Sequence, residues 1–350
     1  MRKAKDRDFI QTSEDFLFCV VGYQHPKDRY TAYLKYVPSA SGKWGDQQHY
    51  RRVIPYYAAA SVIDTFDFLR KNYPKYLFQC PVRNIDFSAV PREDVKTYFY
   101  PEKKLVELCK KSNLDSLEER VIELVESLVD ESGIPWDSMG ITGSILIGIH
   151  NPEFSDIDLT VYGRENSLRV KKAVQGLIRT SKSGFNGLDE AVASDWGDRK
   201  IGVFPLGSKQ TKVIFNRKWN FGVFKGTRFS IHPTRADKEI SEKYGDKTYT
   251  GDDIVKIRAK VSDDIDSIFN PCYYRLADVE VLEGPQLKDI IEVVSYEGVF
   301  CDIAHKGEII IAKGKLEKVL DKRNGEVFHR ILVGSPKGAG KEFIYPIVQD

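Results

Sequence analysis

The sequence predicts an α+β protein: a central domain of helices around a mixed sheet, flanked by small antiparallel β domains at both ends. Three observations carry this expectation. Strand-forming segments dominate residues 1–57 and 271–350, the amphipathic helical patterns lie between them, and Pro55 and Pro271 fall at the joins. The expected divisions are therefore an N-terminal β domain over 1–57, a central domain over 58–270 and a C-terminal barrel-like domain over 271–350.

The N-terminal strands are FLFCVVGY and RYTAYLKYV, split by the polar turn His25-Pro26-Lys27-Asp28. Helical spacing follows from Ala58 to Lys71 and ends before Pro74. Pro91 to Lys111 reads as helical with a break at Pro101. The clearest helix is SLEERVIELVESLVDESG, where Leu117, Val121, Leu124, Val125 and Leu128 form one apolar stripe. Ser116 with Glu119 resembles a capping box, and Gly133 and Pro135 stop the helix.

A strand from Gly140 to Thr142 comes next, then the segment GSILIGIHNPEFSDIDLTVYG, then a basic helix from Asn166 to Arg179. KIGVFPLG and KVIFN read as short strands. WNFGVF and RFSIHP read as a hairpin turning at Lys225-Gly226-Thr227. A helix is expected from Asp252 to Phe269. Beyond Pro271, DIIEVVSY, GVFCDIAH, GEIIIAKGKLEKV, EVFHRILVG and EFIYPIV suit a small antiparallel barrel. The two ends can be laid over one another, and either duplication or convergence of two β-meanders explains it.

Composition excludes several classes. The five cysteines, Cys19, Cys80, Cys109, Cys272 and Cys301, form no CxxC pair, which argues against a zinc site or a disulfide framework and for a reducing cytosol. The charged start, MRKAKDRDF, has no apolar segment behind it, and no continuous apolar run reaches membrane-spanning length.

Asp156 and Asp158 lie one residue apart inside an apolar run. On a strand, side chains at i and i+2 share a face, so both carboxylates point one way while Ile157 and Leu159 face the core. Burying two like charges is unfavourable unless they are compensated, and a divalent cation with hard oxygen ligands, Mg²⁺ or Mn²⁺, does this. Upstream, Gly143 lets the backbone approach a ligand, and Ser144 offers a hydroxyl to phosphate oxygens. Phosphate, two carboxylates and a divalent cation point to phosphoryl or nucleotidyl transfer.

This segment resembles the signature of the DNA polymerase beta superfamily of nucleotidyltransferases. Gly143-Ser144 is followed after eleven residues by Asp156-Ile157-Asp158-Leu159, with Ser155 just before the pair and Val161-Tyr162-Gly163 after it. The resemblance covers about Ser116 to Pro233. It implies that Gly143, Ser144 and Ser155 face a nucleoside triphosphate, that Asp156 and Asp158 are catalytic metal ligands, and that a third carboxylate stands on a later strand. The whole chain is similar to an uncharacterised archaeal group of predicted nucleotidyltransferases.

The third carboxylate is where this sequence departs from the pattern. The strand Arg228 to His232 has Ser230 and His232 in its place, with no acid. His232 is the candidate third ligand or base, and Asp195, Asp198 and Asp237 are acids from loops. A second SDxID, Ser262 to Asp266, falls in the expected helix, where i and i+2 diverge, and reads as a solvated face.

From Arg199 to Arg235 there are nine Lys or Arg and no acid. Arg164 to Lys182 holds six basic residues against Glu165. Interleaved with Phe204, Phe215, Trp219, Phe221 and Phe224, these charges suit a polyanion, and Arg217, Lys218, Lys225 and Arg228 are the candidate nucleic-acid contacts. GSPKGAGKE lacks P-loop spacing and reads as a hairpin loop. The expected function is a Mg²⁺-dependent nucleotidyltransferase acting on RNA or DNA in the cytoplasm. The alternatives are a non-catalytic nucleic-acid-binding protein on the same fold and a transferase modifying a protein or small molecule.

Overall fold

The computed structural model describes residues 2–54, 59–188, 196–198 and 200–348. In chain order its elements begin with β1 (Phe9–Thr12), β2 (Leu17–Val20), β3 (Arg29–Pro38), β4 (Tyr50–Arg52) and α1 (Ala59–Asn72). There follow β5 (Leu77–Cys80), β6 (Ile85–Pro91), β7 (Val95–Phe99), α2 (Pro101–Lys110), α3 (Ser116–Ser132), β8 (Met139–Thr142) and the short α4 (Gly143–Leu146). Next are β9 (Ile157–Tyr162), α5 (Arg164–Thr180), β10 (Phe185–Asn186), α6 (Ser208–Arg217), β11 (Phe221–Phe224) and β12 (Thr227–Thr234). The chain closes with β13 (Lys247–Thr250), β14 (Ile254–Asp263), β15 (Cys272–Glu283), β16 (Ile290–Ser295), β17 (Ile309–Asp321), β18 (Glu326–Val333) and β19 (Phe343–Pro346). It is a mixed α+β structure with several sheets. No helix among the described residues is long and apolar enough to cross a membrane.

Contacts divide the chain into two compact units, each made of three separate stretches, where the sequence suggests three consecutive domains. One comprises Met1–Val53, Ala89–Asp189 and Trp219–Ser241; the other comprises Ile54–Ser88, Glu190–Lys218 and Glu242–Asp350.

In the first unit, β7, β1, β2 and β3 form an antiparallel meander, with β4 and residues 89–91 also paired to β3. Its second sheet runs β10-β11-β12-β9-β8, with β12 and β9 parallel and the other pairs antiparallel. Helix α3 packs on α5, and α5 on β9 and β12. The expected stripe of α3 is buried, as are Ile157, Leu159 and Val161 of β9. The capping residue of α3 is one position earlier than expected: Asp115 accepts from the N–H groups of Leu117 and Glu118, and the Glu118 carboxylate reaches back to Asp115. A carboxylate at Asp115 wins because it can take two orphan donors at once. The β11–β12 hairpin turns through Lys225 and Gly226, both at positive φ, as a two-residue loop requires. Residues 95–99 are strand rather than helix, because β1 offers them an edge.

In the second unit, strands β17, β14, β15, β16 and β18 close on themselves through the β17–β18 pairing. This is the expected barrel, with two differences. Its β16–β18 pair is parallel, and it starts at Ile254. The helix expected over 252–269 is therefore wrong for 254–263. Ile254, Ile257 and Val261 fit helical spacing, but Val255, Ile257, Ala259 and Val261 are the buried set, a period of two that two flanking strands satisfy. The second SDxID is then a strand end and turn: Asp263 accepts from the Ile265 N–H, and Asp264 pairs with His305. KVIFN, expected as a strand, lies in α6, whose Thr211 and Ile214 face inward one turn apart. KIGVFPLG forms no strand among its described residues, and neither does GVFCDIAH, which is a 3-10 turn and loop whose Val299, Phe300, Ile303 and Ala304 are buried. The segment GSPKGAGKE is a loop, in which buried Glu342 accepts from the N–H groups of Gly334 and Ser335.

Candidate functional site

Asp158 sits on β9 between Thr142 of β8 and Ser230 of β12, its partners in register on either side. Asp156 precedes the strand and stands exposed on the same side, while Ile157 and Leu159 point into the core. The chain leaves β8 through Gly143, at φ +70°, where a β-carbon would lie 2.3 Å from Oδ2 of Asp158. Only glycine lets this loop cross the carboxylate. Ser144 follows, buried. Ser155 is engaged in local structure: its hydroxyl accepts from the Asn151 N–H at 2.9 Å, closing the turn that leads into the acid pair.

The electrostatics of the pair are asymmetric. The Asp158 charge pushes the Asp156 pKa up to about 6, and partial burial adds to this. Burial opposes ionisation of Asp158 as well, but His232 at 3.6 Å, the Lys35 cation and the Ser230 hydroxyl more than offset it and hold Asp158 well below the usual carboxylate range. The Ser230 hydroxyl donates to Asp158, and His232 Nε2 lies 2.8 Å from Ser230 Oγ. Burial, together with the Arg7 charge, pushes His232 down to about 4 against the pull of Asp158. His232 is therefore neutral at pH 7, the form that coordinates a cation.

The meander adds residues that no local pattern in the sequence marks. Phe9, Leu17, Cys19, Tyr36 and Tyr50 form one core cluster with Leu146, Ile147 and Ile149 of the segment after the Gly143 loop. The Thr142 hydroxyl donates to the Arg7 carbonyl at 2.7 Å. Arg7 and the buried Lys35 thereby come within electrostatic reach of Asp158. Both lie more than 100 residues from the acid pair, and the packing of an apolar face is what joins them.

The remaining candidates disperse. Among loop acids, Asp237 pairs with Lys5 at 3.1 Å, Asp198 belongs to the second unit, and Asp195 lies outside the described residues. The four candidate nucleic-acid contacts do not act alike. Arg217 and Lys218 belong to the second unit. There Arg217 makes a bidentate pair with Glu308 at 2.5 and 2.9 Å, and Lys218 donates to the carbonyls of Gly298 and Cys301. Lys225 lies 3.1 Å from Glu123. Arg228 is exposed and has no ion pair among the described residues. Phe204, Trp219 and Phe224 are core residues, unable to stack on bases.

One further cluster has metal-ligand composition. Asp115, Glu118 and His150 bring their ligand atoms within 4.8 Å of one another. Their atoms are occupied structurally: Asp115 caps α3 and pairs with His150 Nε2 at 2.8 Å, and Glu118 takes Lys111 at 2.5 Å.

No family model matches the chain, and no solved structure matches it. The uncharacterized protein MJ1086 of Methanocaldococcus jannaschii is 33% identical over 345 residues, a match that covers 98% of each chain. With that identity over almost the full length of both proteins, the chain belongs to the same family as MJ1086.

Proposed function

We propose that the protein is a divalent-cation-dependent nucleotidyltransferase that moves a nucleoside monophosphate from a nucleoside triphosphate to an acceptor hydroxyl, with RNA or DNA as the acceptor. One observation carries the reading: Asp156 directly before β9 and Asp158 within it stand two residues apart, and a glycine loop crosses directly over the second carboxylate. The Gly143-Ser144 turn, the acid-bearing β9 and β12, a later strand such as the resemblance to the DNA polymerase beta superfamily implies for a third acid, follow one another along the chain.

The donor set fits a hard divalent cation. Asp156 and Asp158 would hold it, with His232 Nε2 and Ser230 Oγ where the family pattern has its third acid. An imidazole among the donors favours Mn²⁺ over Mg²⁺. When bound, such an ion neutralises phosphate oxygens. The chain's own part is positional. Gly143 gives a phosphate access to the loop, and neutral His232 serves as a ligand rather than a base, because a pKa near 4 makes it a poor proton acceptor at neutral pH. All five cysteines are free thiols, which fits a reducing cytoplasm.

The test is transfer of label from each α-labelled triphosphate, with Mn²⁺ or Mg²⁺ and total RNA or DNA, by wild type and by the Asp156→Asn, Asp158→Asn double variant. Transfer by the wild type alone supports the reading, and equal transfer by both sinks it. The serine in place of a third acid favours a second reading, a nucleic-acid-binding protein on a degenerate transferase fold. Polynucleotide binding without any transfer would select it.

A further inference from the structure

We propose that Arg7 and Lys35 form the polyphosphate-binding side of the Asp156–Asp158 site; the inference rests on reading that pair as a metal site. Arg7 is held in an unusual way. Its φ is +73°, a left-handed conformation that long side chains rarely adopt and that tends to persist where function requires it. Its backbone is clamped on both sides: the N–H donates to the Val20 carbonyl at 3.1 Å, and the carbonyl accepts from Thr142, the residue before Gly143. The Arg7 backbone is anchored beside the Gly–Ser loop as a result.

The side chain is under-used for a half-buried arginine. Its Nε has no hydrogen-bond partner, and the Asp6 carboxylate stands 3.4 Å away. Asp6 is itself engaged by the Gly22 N–H at 2.9 Å. Lys35 comes from β3, whereas Arg7 lies in the turn before β1, and Lys35 has only 3% of its surface exposed. Its ammonium lies 5.2 and 5.5 Å from the ring centroids of Phe9 and Tyr36. The Arg7 charge is felt by both Asp158 and His232, and the Lys35 charge by Asp156, Asp158 and His232.

Charge balance favours an anion here. Without metal, three cations, Arg7, Lys35 and Arg52, stand against three carboxylates, Asp6, Asp156 and Asp158. A divalent ion on Asp156 and Asp158 would add two positive charges at low dielectric with no anion to match them, and an anion carrying several charges would restore the balance. Polyphosphate has that charge, and a guanidinium with an unfilled donor matches phosphate oxygens. The ligand class is the polyphosphate itself, either free or as the tail of a nucleotide.

Calorimetric titration of wild type, Arg7→Gln, Arg7→Lys and Lys35→Gln with three probes tests this: Mn²⁺ alone, inorganic tripolyphosphate with Mn²⁺, and a nucleoside triphosphate with Mn²⁺. Tripolyphosphate affinity is expected to fall roughly tenfold or more in each Gln variant, the scale of one charge-assisted hydrogen bond, and to recover partly in Arg7→Lys. Affinity for Mn²⁺ alone should hold or rise, because a repelling cation has been removed, whereas a merely structural role would lower both affinities together. Where Arg7→Gln fails to fold, Lys35→Gln on its separate strand reads the same loss. Unchanged tripolyphosphate binding in folded Gln variants overturns the subsite and leaves the transferase reading standing. Tripolyphosphate bound as tightly as the nucleotide, with no label transfer, keeps the subsite and removes the transferase. A wild type that binds no polyphosphate overturns the subsite outright.

Discussion

Ser230 and Asp158 face each other across neighbouring parallel strands, and the Ser230 hydroxyl donates a hydrogen bond to the Asp158 carboxylate. A hydroxyl thus stands where the proposed transferase reading expects a third acid. Ser230→Asp should place a carboxylate against Asp158 and lower metal-free stability by roughly 1–3 kcal/mol through like-charge repulsion. Divalent cation should then raise the melting temperature more than in wild type, since only a ligand of the native state stabilises it. Melting curves with and without Mn²⁺ check this, and a variant indifferent to the ion would count against a metal site on this strand pair.

Gly143→Ala is expected to destabilise the protein by roughly 1–3 kcal/mol, because it combines a β-carbon at positive φ with a clash on Asp158. It should also weaken Mn²⁺ binding by displacing Oδ2. Denaturant unfolding and metal titration read the two effects separately.

The Asp156 pKa, raised to about 6 in the folded protein, gives stability a defined pH dependence. The folded state holds this proton more tightly than the unfolded chain, where the group titrates near 3.9. Stability is therefore favoured below about pH 4 and declines as pH rises toward 6. Asp156→Asn should remove that decline and stabilise the metal-free protein at pH 7 by about 0.5–2 kcal/mol, toward the lower end because solvent screens an exposed carboxylate. Unfolding measured from pH 4 to 7 decides it; a variant with the wild-type decline would reassign the titration.

Arg217 and Arg228 should separate structure from binding. Arg217→Ala removes the bidentate partner of Glu308 and should cost about 1–3 kcal/mol of stability. Arg228→Ala should leave the melting temperature unchanged and, if polynucleotide lies on this hairpin, lower the salt slope of binding by about 1. An unchanged slope would show that Arg228 is only a solvated charge.

The sequence carries short-range information well. The burial of Ile157 and Leu159 beside the acids follows from the two-residue period of a strand, the α3 stripe from helical spacing, and the Lys225-Gly226 turn from the two-residue loop that a hairpin needs. It misleads where two periods overlap. Residues 254–263 satisfy both helix and strand spacing until β15 and β17 supply hydrogen-bond partners on either edge. KVIFN has β-branched residues but becomes helical because one buried face, Thr211 and Ile214, is enough to seat it.

The acid pair and its glycine loop are thus written into contiguous residues, since a strand's alternation and a glycine's freedom need no distant partner. The cations beside them are not. Arg7 and Lys35 reach the site because the apolar face of the meander packs on Leu146, Ile147 and Ile149. Arg217 leaves the expected binding face because Glu308 captures it. Burial and ion pairing act between residues far apart in sequence, and no local pattern encodes which apolar face will meet which, or which charge will find its partner.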